Sequence, residues 1–591
     1  MNRIIQDIMK SFSRLPWLLF FCAAFIFFFF FANYITFYQE KTTLFFTSAG
    51  FLSENLHQPG GLLIWIAKLA TSFFFFPFSG ALIISSILTL TAYFISEIIS
   101  ALSGKNGTII SILFAVALFY IQTDYRFLFF NIIGLLLQLL LFLLAVKYSR
   151  ILKGWMPLIL LPFWYFATGG FAFIFSVLLT FFYITKEWKS GLIKIFILWI
   201  INVITFYISK DLLFFQTSKL LLLYPWSEES AGSGYRIFLI VSGFIVLIPL
   251  FVKVSMKYKL LKEISSLVMN ITASAIAVAA ILIISILRSD EKVSNYFHAE
   301  KLFYENRFND MVQWNITHPS SNILTVFLNN VALSETNRLN DMLFNFPQSA
   351  DGKTLFLKWQ MSSEILRYGG YFYYSIGMVN EAHRWAFENM VMKGHTPEGL
   401  KMLIKTELIN GNYITASKYI NLLKHTFFYK NEALHFEKLL HDESAIASDP
   451  ELGEKRKIKM KNDFFTITDD PVVNINLICA SDSLNRKAFE YKVASLLLKK
   501  DFKGLSVEIP KYGKLGYTRL PLHVEEALTE LMATKKLKPS IAGSLNISSG
   551  TNSKFEKLLS VLQLYRGNKT AAEPALKRDF GNTYWYYTFF R

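Results

Sequence analysis

Nine apolar segments crowd the first 287 residues of this 591-residue chain and constrain its fold more than any other feature. A helix that crosses a bilayer needs about 20 apolar residues, fewer where it is short or the membrane thin. The charge pattern changes where these segments end. Residues 1–287 hold 20 Lys and Arg against 10 Asp and Glu, and residues 288–591 hold 40 against 33. The first part reads as a polytopic helical membrane domain. The second reads as a soluble helical domain, so the fold class is all-α over domains 1–287 and 288–591.

The net charge of +17 invites a nucleic-acid reading. Its placement argues otherwise. Most basic residues of the first part fall in the N-terminal stretch (Arg3, Lys10, Arg14) or in four short loops: Lys105; Lys147, Arg150 and Lys153; Lys186, Lys189 and Lys194; Lys253, Lys257, Lys259 and Lys262. That is the positive-inside pattern of a membrane protein, and no nucleic-acid partner is expected. The two cysteines, Cys22 and Cys479, give no disulfide framework and no cysteine-based zinc site. Phe20 and Phe21 stand where a lipoprotein signal wants small residues, and no A-x-A site follows the Phe run, so the first segment reads as a retained anchor.

Loop charge sets the expected topology. The N-terminus is cytoplasmic and the first span covers about 16–37. Parity then allows one span in 61–100, placed at about 79–100 after the break at Pro77, with 62–76 lying along the outer interface. The alternative is a full extra span there with inverted loops downstream. The other expected spans are roughly 108–121, 127–146, 156–168, 170–185, 192–209, 236–252 and 264–287. The two short segments between Trp155 and Lys186 suit a hairpin turning at Thr168, Gly169 and Gly170. Nine spans from a cytoplasmic start put the tail outside, in the periplasm of a bacterium whose inner membrane holds the protein.

The tail carries a repeat. Gly377 is followed five residues on by Ala382, and Gly411 by Ala416; the two pairs are 34 residues apart, the tetratricopeptide (TPR) period. The glycine permits a tight turn and the alanine lets paired helices approach. Weaker echoes occur at Asn306-Arg307-Phe308 with Met311 and at Gly567 with Ala572. The tail therefore reads as a TPR-like α-superhelix, against a non-repeating helical domain. The charge-rich run 454–461 reads as a solvated loop or helix end.

Common catalytic motifs are missing: there is no H-E-x-x-H, P-loop or G-x-S-x-G. Two acids at expected outer span ends remain. Glu40 closes Tyr34-Ile35-Thr36-Phe37-Tyr38-Gln39-Glu40. Asp124 lies in Gln122-Thr123-Asp124-Tyr125-Arg126. Between them come Phe51 to Gly61, including His57 and Pro59, the interfacial segment, and Phe76-Pro77-Phe78-Ser79-Gly80. Over roughly residues 15–150 this order resembles the GT-C superfamily of membrane glycosyltransferases, in layout more than in motif, since no Asp-Glu or Asp-x-Asp doublet is present. The resemblance implies sugar transfer from a polyprenyl-phosphate donor at the outer membrane face. Glu40 would act as general base. Asp124 would orient the acceptor or hold a divalent cation through its oxygens. Arg126, Lys210 or Arg236 would neutralise the donor phosphate, and His57 would serve either group.

Plainer readings stand beside these. Glu40 pairs with Lys41 in headgroup space. Asp124 pairs with Arg126 or caps the next helix. Asp211 beside Lys210 shows that such acids recur without any layout. Gly169-Gly170 is a turn, Trp226 an interface residue near Glu228 and Glu229, and Tyr584-Trp585-Tyr586-Tyr587 core packing. Across nearly its full length the chain resembles an uncharacterised bacterial family with a multi-span domain and a TPR-like periplasmic tail. The phrases GMVNEAHRWAFENM, INGNYITASKYINLLKHT and GNTYWYY carry that likeness, which implies architecture and no activity. Two functions stay open: the glycosyltransferase, and a non-enzymatic membrane anchor whose tail binds envelope proteins. A transporter is disfavoured by the scarcity of ionisable residues at mid-membrane positions.

Overall fold

The computed structural model describes residues 2–149, 155–186, 188–225, 233–258, 265–359, 364–460, 470–534, 547–566 and 568–590. It is all-α, with no strand among the described residues. The chain divides into two compact units: Met1–Asp290 together with His425–Phe428, and Glu291–Lys424 with Tyr429–Arg591.

Among its described residues the first unit has fourteen α-helices: α1 Asn2–Ile26, α2 Asn33–Thr42, α3 Ala49–Leu56, α4 Gly61–Ser72, α5 Pro77–Ser103, α6 Thr108–Gln122, α7 Phe130–Lys147, α8 Met156–Thr168, α9 Ala172–Lys186, α10 Trp188–Ile208, α11 Ser218–Leu223, α12 Ser233–Val246, α13 Ile248–Lys257 and α14 Ser266–Arg288. Among the described residues, six apolar helical runs have the length and composition to cross a membrane: Ser13–Phe31, Pro77–Ser103, Phe130–Lys147, Met156–Lys186, Ser190–Leu213 and Ser266–Arg288. A seventh candidate, formed by α12 and α13, is bent by 45°. The expected span at 108–121 forms α6, whose 15 residues rise only about 22 Å. Large apolar side chains such as Phe163 (70% exposed) and Ile286 (79%) point outward, as on a surface solvated by lipid.

Contacts set the helix directions. The ends of α6 and α14 lie together, since the Arg288 guanidinium sits 4.2 Å from the Tyr120 ring centre. The charges of Asp124, Asp290 and Arg288 all act on the Tyr34 hydroxyl in α2. Tyr34, Asp124 and the exit to the tail therefore share one end of this unit. Basic side chains mark other loops: Lys147 pairs with Glu97 at 2.6 Å, Lys186 donates to Ser149 at 2.8 Å, and Lys253 to the Ile184 carbonyl at 3.2 Å.

The run Met156–Lys186 is too long to be one straight crossing, since 31 residues rise about 46 Å against a core of about 30 Å. It doubles back. Trp164 Nε1 donates to Gln138 on α7 at 2.7 Å. Farther along, Phe171 packs against Gly134, and Phe182 meets Phe142 at 6.0 Å. The partner on α7 thus moves toward its N-terminus and then back, with the reversal at Gly169-Gly170. Backbone meets backbone at that turn. The Gly60 amide donates to the Phe166 carbonyl and the Gly170 amide to the Tyr224 carbonyl, both at 2.8 Å. Gly169 (φ +60°) has no room for a Cβ, which would lie 2.5 Å from the Tyr224 oxygen and 2.9 Å from that of Pro59.

Helix α4 starts beside this turn, with Gly60 against Gly169. It ends where Thr71 meets Thr43 at 3.3 Å, just before Phe74 packs on Phe129 at 5.4 Å. Both its ends lie near the N-terminal end of α7, so α4 runs across the end of the bundle. Pro77 then opens α5 at its first turn, where a missing N–H costs nothing. The tetrapeptide His425–Phe428 completes the unit. Phe427 stacks on Phe45 at 5.6 Å and Phe428 on Phe75 at 5.0 Å, while the His425 carbonyl accepts from the Thr47 amide at 2.7 Å.

Helices of the second unit are punctuated by short polar caps: Asn322, Thr396, Asp442, Asp470, Asn485, Asp501, Ser548 and Asn568 each accept from the first helical turn. Gly377 and Gly411 take left-handed φ of +88° and +78° at inter-helix turns. Ala382 and Ala416 are fully buried. Asn306 adopts φ +56° at the equivalent place, and Met311 is buried behind it. Where it is described, the charge-rich run forms a helix end, with one side chain buried. That helix is Leu452–Ile458, and Lys455, 1% exposed, pairs with Glu335 at 2.7 Å. Lys487 bridges the same carboxylate at 2.5 Å to Glu454 at 2.8 Å. Opposite charges at these distances let Lys455 enter the core. Tyr584 and Trp585 are fully buried. Trp226, Glu228, Glu229, Arg150, Lys153, Lys259, Lys262 and Gly567 lie outside the described residues.

Candidate functional site

Two places hold chemistry: the turn carrying Asp124 in the first unit, and a groove in the second.

Asp124 is half-buried in the turn between α6 and α7. Its Oδ1 accepts from the Arg126 amide at 3.1 Å, and its carbonyl from the Phe127 amide at 2.9 Å. Arg126 Nε donates to the Tyr125 hydroxyl at 3.1 Å, and the Tyr125 ring meets Tyr38 edge-on at 4.8 Å. On the other side of the turn, a Cβ at Gly234 would stand 3.6 Å from Asp124 Oδ2, so α12 approaches the carboxylate through a residue without a side chain.

Gln39 holds this turn against α2. Its Nε2 donates to the Phe127 carbonyl at 3.0 Å, and its Oε1 accepts from the Phe129 amide at 3.2 Å. It is 1% exposed. Nothing local in the sequence marks Gln39: a lone amide at a span end carries no signal of a partner almost ninety residues away.

Glu40 is itself buried, at 7% exposure. At about 100° per residue it leaves α2 about 120° from Tyr34 and about 160° from Tyr38. The tyrosines that meet the Asp124 turn are thus on one face of α2, and Glu40 is on another. The hydrogen bond to the Asp124 carboxylate comes from the Arg126 amide. The structure brings Asp124 and Arg126 together with Tyr38 and Tyr125. His57 is exposed, and its Nδ1 lies 2.7 Å from the Ser53 carbonyl of its own helix. Lys210 is half-buried on the π-turn Ser209–Leu213, and Arg236 is exposed on α12 two residues past Gly234. No group of three or more His, Cys, Asp and Glu side chains is placed to hold a metal ion among the described residues.

The groove in the second unit has a volume of about 530 Å³. The helices Glu291–Tyr304, Pro397–Asn410, Lys430–Lys438 and Leu452–Ile458 contribute to its walls. Five carboxylates face it, from Glu305, Glu398, Glu432, Asp449 and Glu451, against the two lysines Lys401 and Lys405. Lys401 bridges Glu398 at 2.6 Å and Glu432 at 3.1 Å, and Lys405 pairs with Glu451 at 2.7 Å. Burial lifts the Glu398 carboxyl above its ordinary range against the pull of Lys401. Burial opposes the Glu451 charge too, yet Lys405 and the Tyr374 hydroxyl hold that carboxyl below the ordinary range. Phe303, Tyr304 and Tyr371 form an aromatic wall, with Phe303 and Tyr371 edge-to-face at 4.9 Å.

No curated protein and no solved structure matches this chain. A family model does, over residues 8–591, and the chain accordingly belongs to a family of unknown function (DUF6057).

Proposed function

We propose that this protein is a non-enzymatic membrane anchor whose helical tail, a TPR-like superhelix, binds a partner protein of the bacterial envelope. The observation that carries the reading is the large, charged groove in the tail unit. Helical-repeat proteins place binding surfaces on such inter-helix faces. The membrane unit serves to hold the tail at the inner membrane, with basic loops on the cytoplasmic side and the tail in the periplasm. The exit of the chain at the end that carries Tyr34 and Asp124 supports that orientation. A photo-crosslinking residue at Asn431, exposed and lining the groove, is expected to give discrete protein adducts in cells. The same residue at Lys557, exposed elsewhere, should give none. Equal labelling from both positions, or none from Asn431, sinks the reading.

A second reading is favoured by the Asp124 turn, where a carboxylate, two tyrosines, an arginine and a side-chain-free approach from Gly234 meet. Here the protein is a GT-C-like glycosyltransferase using a polyprenyl-phosphate sugar. Glu40 is the base; Asp124 orients the acceptor or holds a divalent cation. Arg126, Lys210 or Arg236 meets the phosphate, and His57 serves either group. Asp124→Asn and Glu40→Gln should then each abolish an envelope glycan at unchanged protein level, as read by mass spectrometry of envelope glycans. An unaltered glycan profile in both variants removes this reading.

A further inference from the structure

The groove in the tail has a composition that selects the chemistry of its occupant. Its carboxylates outnumber its ammonium groups five to two, and both ammonium groups are already held in ion pairs at 2.6–3.1 Å. The most accessible carboxylates stand at the rim, where Glu305 and Glu432 are 40% and 47% exposed and their partners, Arg307 at 3.2 Å and Lys401 at 3.1 Å, leave the groove with an excess of acidic groups. Behind the rim stand Phe303, Tyr304 and Tyr371, with Tyr304 and Tyr371 6.1 Å apart. The Tyr304 hydroxyl is buried and has no hydrogen-bond partner among the described residues, although it lines a space wide enough to hold a side chain. Carboxylates at a mouth with aromatic rings behind them form a receptor for an ammonium or guanidinium group. The carboxylates neutralise the charge, and the ring faces accept the cation once it is desolvated.

We infer that the groove takes a lysine- or arginine-bearing extended segment of a partner protein, an inference that rests on the partner-binding reading above and specifies its ligand. Anionic ligands are repelled by the rim. A neutral saccharide would use the rings and leave the excess carboxylate charge uncompensated. The overall charge of +17 adds a diagnostic. A polycation is repelled by the chain as a whole, so any affinity for one must come from a local acidic site.

The test uses the full-length protein in an uncharged detergent and isothermal titration calorimetry with the acetylated decapeptide (Lys-Ser)5. Saturable binding is expected at about 50 mM salt, and it should weaken at least fivefold at about 500 mM, where the Debye length is only a few ångströms. Glu305→Gln with Glu432→Gln, both at half-exposed positions, should weaken it at least fivefold without changing the melting temperature. Tyr304→Phe removes a hydroxyl that has no hydrogen-bond partner among the described residues. It should weaken the peptide severalfold while leaving thermal stability the same or higher, a combination that a purely structural tyrosine would not give. The inference is overturned if the double variant binds as tightly as the native chain. It is overturned equally if (Glu-Ser)5 binds as well as (Lys-Ser)5, or if cellohexaose displaces the peptide. Adducts from Asn431 without any binding of (Lys-Ser)5 would overturn the cationic ligand and leave the partner reading standing; loss of both removes both.

Discussion

Gly169→Ala should prevent the membrane unit from reaching its native state, whereas Gly104→Ala should be tolerated. Both glycines have positive φ, +60° and +68°, so both substitutions meet the resistance of an L-residue to that half of the map. That term alone is about 1–2 kcal/mol. The surroundings differ. A Cβ at Gly104, the residue closing α5, meets nothing within 4 Å. One at Gly169 lies 2.5 Å from the Tyr224 carbonyl and 2.9 Å from that of Pro59. Neither obstacle is a flexible side chain. Both are backbone, and the Tyr224 oxygen already accepts from Gly170. Gly169 also has ψ −138°, which with its φ is a region nearly reserved for glycine. Relieving the clash means separating the α8–α9 turn from two other segments at once. The expected loss is about 4 kcal/mol or more for Gly169→Ala and about 1 kcal/mol for Gly104→Ala. Fluorescence-detected size exclusion of the detergent-solubilised protein over a temperature series would show it. Gly169→Ala should yield aggregate or no monodisperse protein, and Gly104→Ala a monodisperse peak melting a few degrees lower. A monodisperse Gly169→Ala protein with native melting would contradict the close backbone packing.

The contrast between these glycines also shows what a sequence reveals. Apolar segments are legible because lipid acts on each helix separately, through length and composition. The turn at Gly169-Gly170 is legible for a similar local reason: two short apolar runs separated by two glycines leave the chain one place to reverse. The direct backbone contacts to Gly60 and Tyr224 are pairings across 109 and 55 residues, and no local pattern encodes them. Gln39 is the same case in miniature. Its neighbour Glu40 attracted attention for its charge, while the amide holds the Asp124 turn. The groove carboxylates stretch from Glu305 to Glu451, each with an ordinary local context. Lys455 looked solvated for want of any sign that Glu335 waits 120 residues earlier. Phe427 and Phe428, deep in the soluble half by composition, pack with the first unit. What the sequence conceals is pairing. What it displays is the demand each segment makes on its solvent.

Pairing of that kind concentrates at Glu526, and truncating it should release the C-terminal helix Tyr584–Phe590. Glu526 is fully buried. Its Oε2 lies 2.9 Å from His523 Nδ1 and accepts from the Tyr584 amide at 2.7 Å. Its main-chain oxygen accepts from Trp585 Nε1 at 2.7 Å. The Phe344 amide donates to His523 Nε2 at 3.2 Å, so that nitrogen bears no proton and Nδ1–H is the donor to the carboxylate. Glu526→Ala leaves two buried donors, His523 Nδ1 and the Tyr584 amide, without an acceptor. Each costs about 1–3 kcal/mol, more when the lost acceptor was charged. The expected loss is on the order of 4 kcal/mol. It should be concentrated where Trp585 packs in the cluster with Leu558, Ala572, Leu576 and Phe580. Glu526→Gln keeps an oxygen able to accept both bonds and should cost about 1 kcal/mol. Hydrogen exchange of the full-length protein separates the cases. Peptides spanning 584–590 should lose protection in Glu526→Ala and keep most of it in Glu526→Gln, with peptides from α7 unchanged in both. Equal protection at 584–590 in the alanine variant would mean that the aromatic packing of Tyr584 and Trp585 holds the helix without the carboxylate.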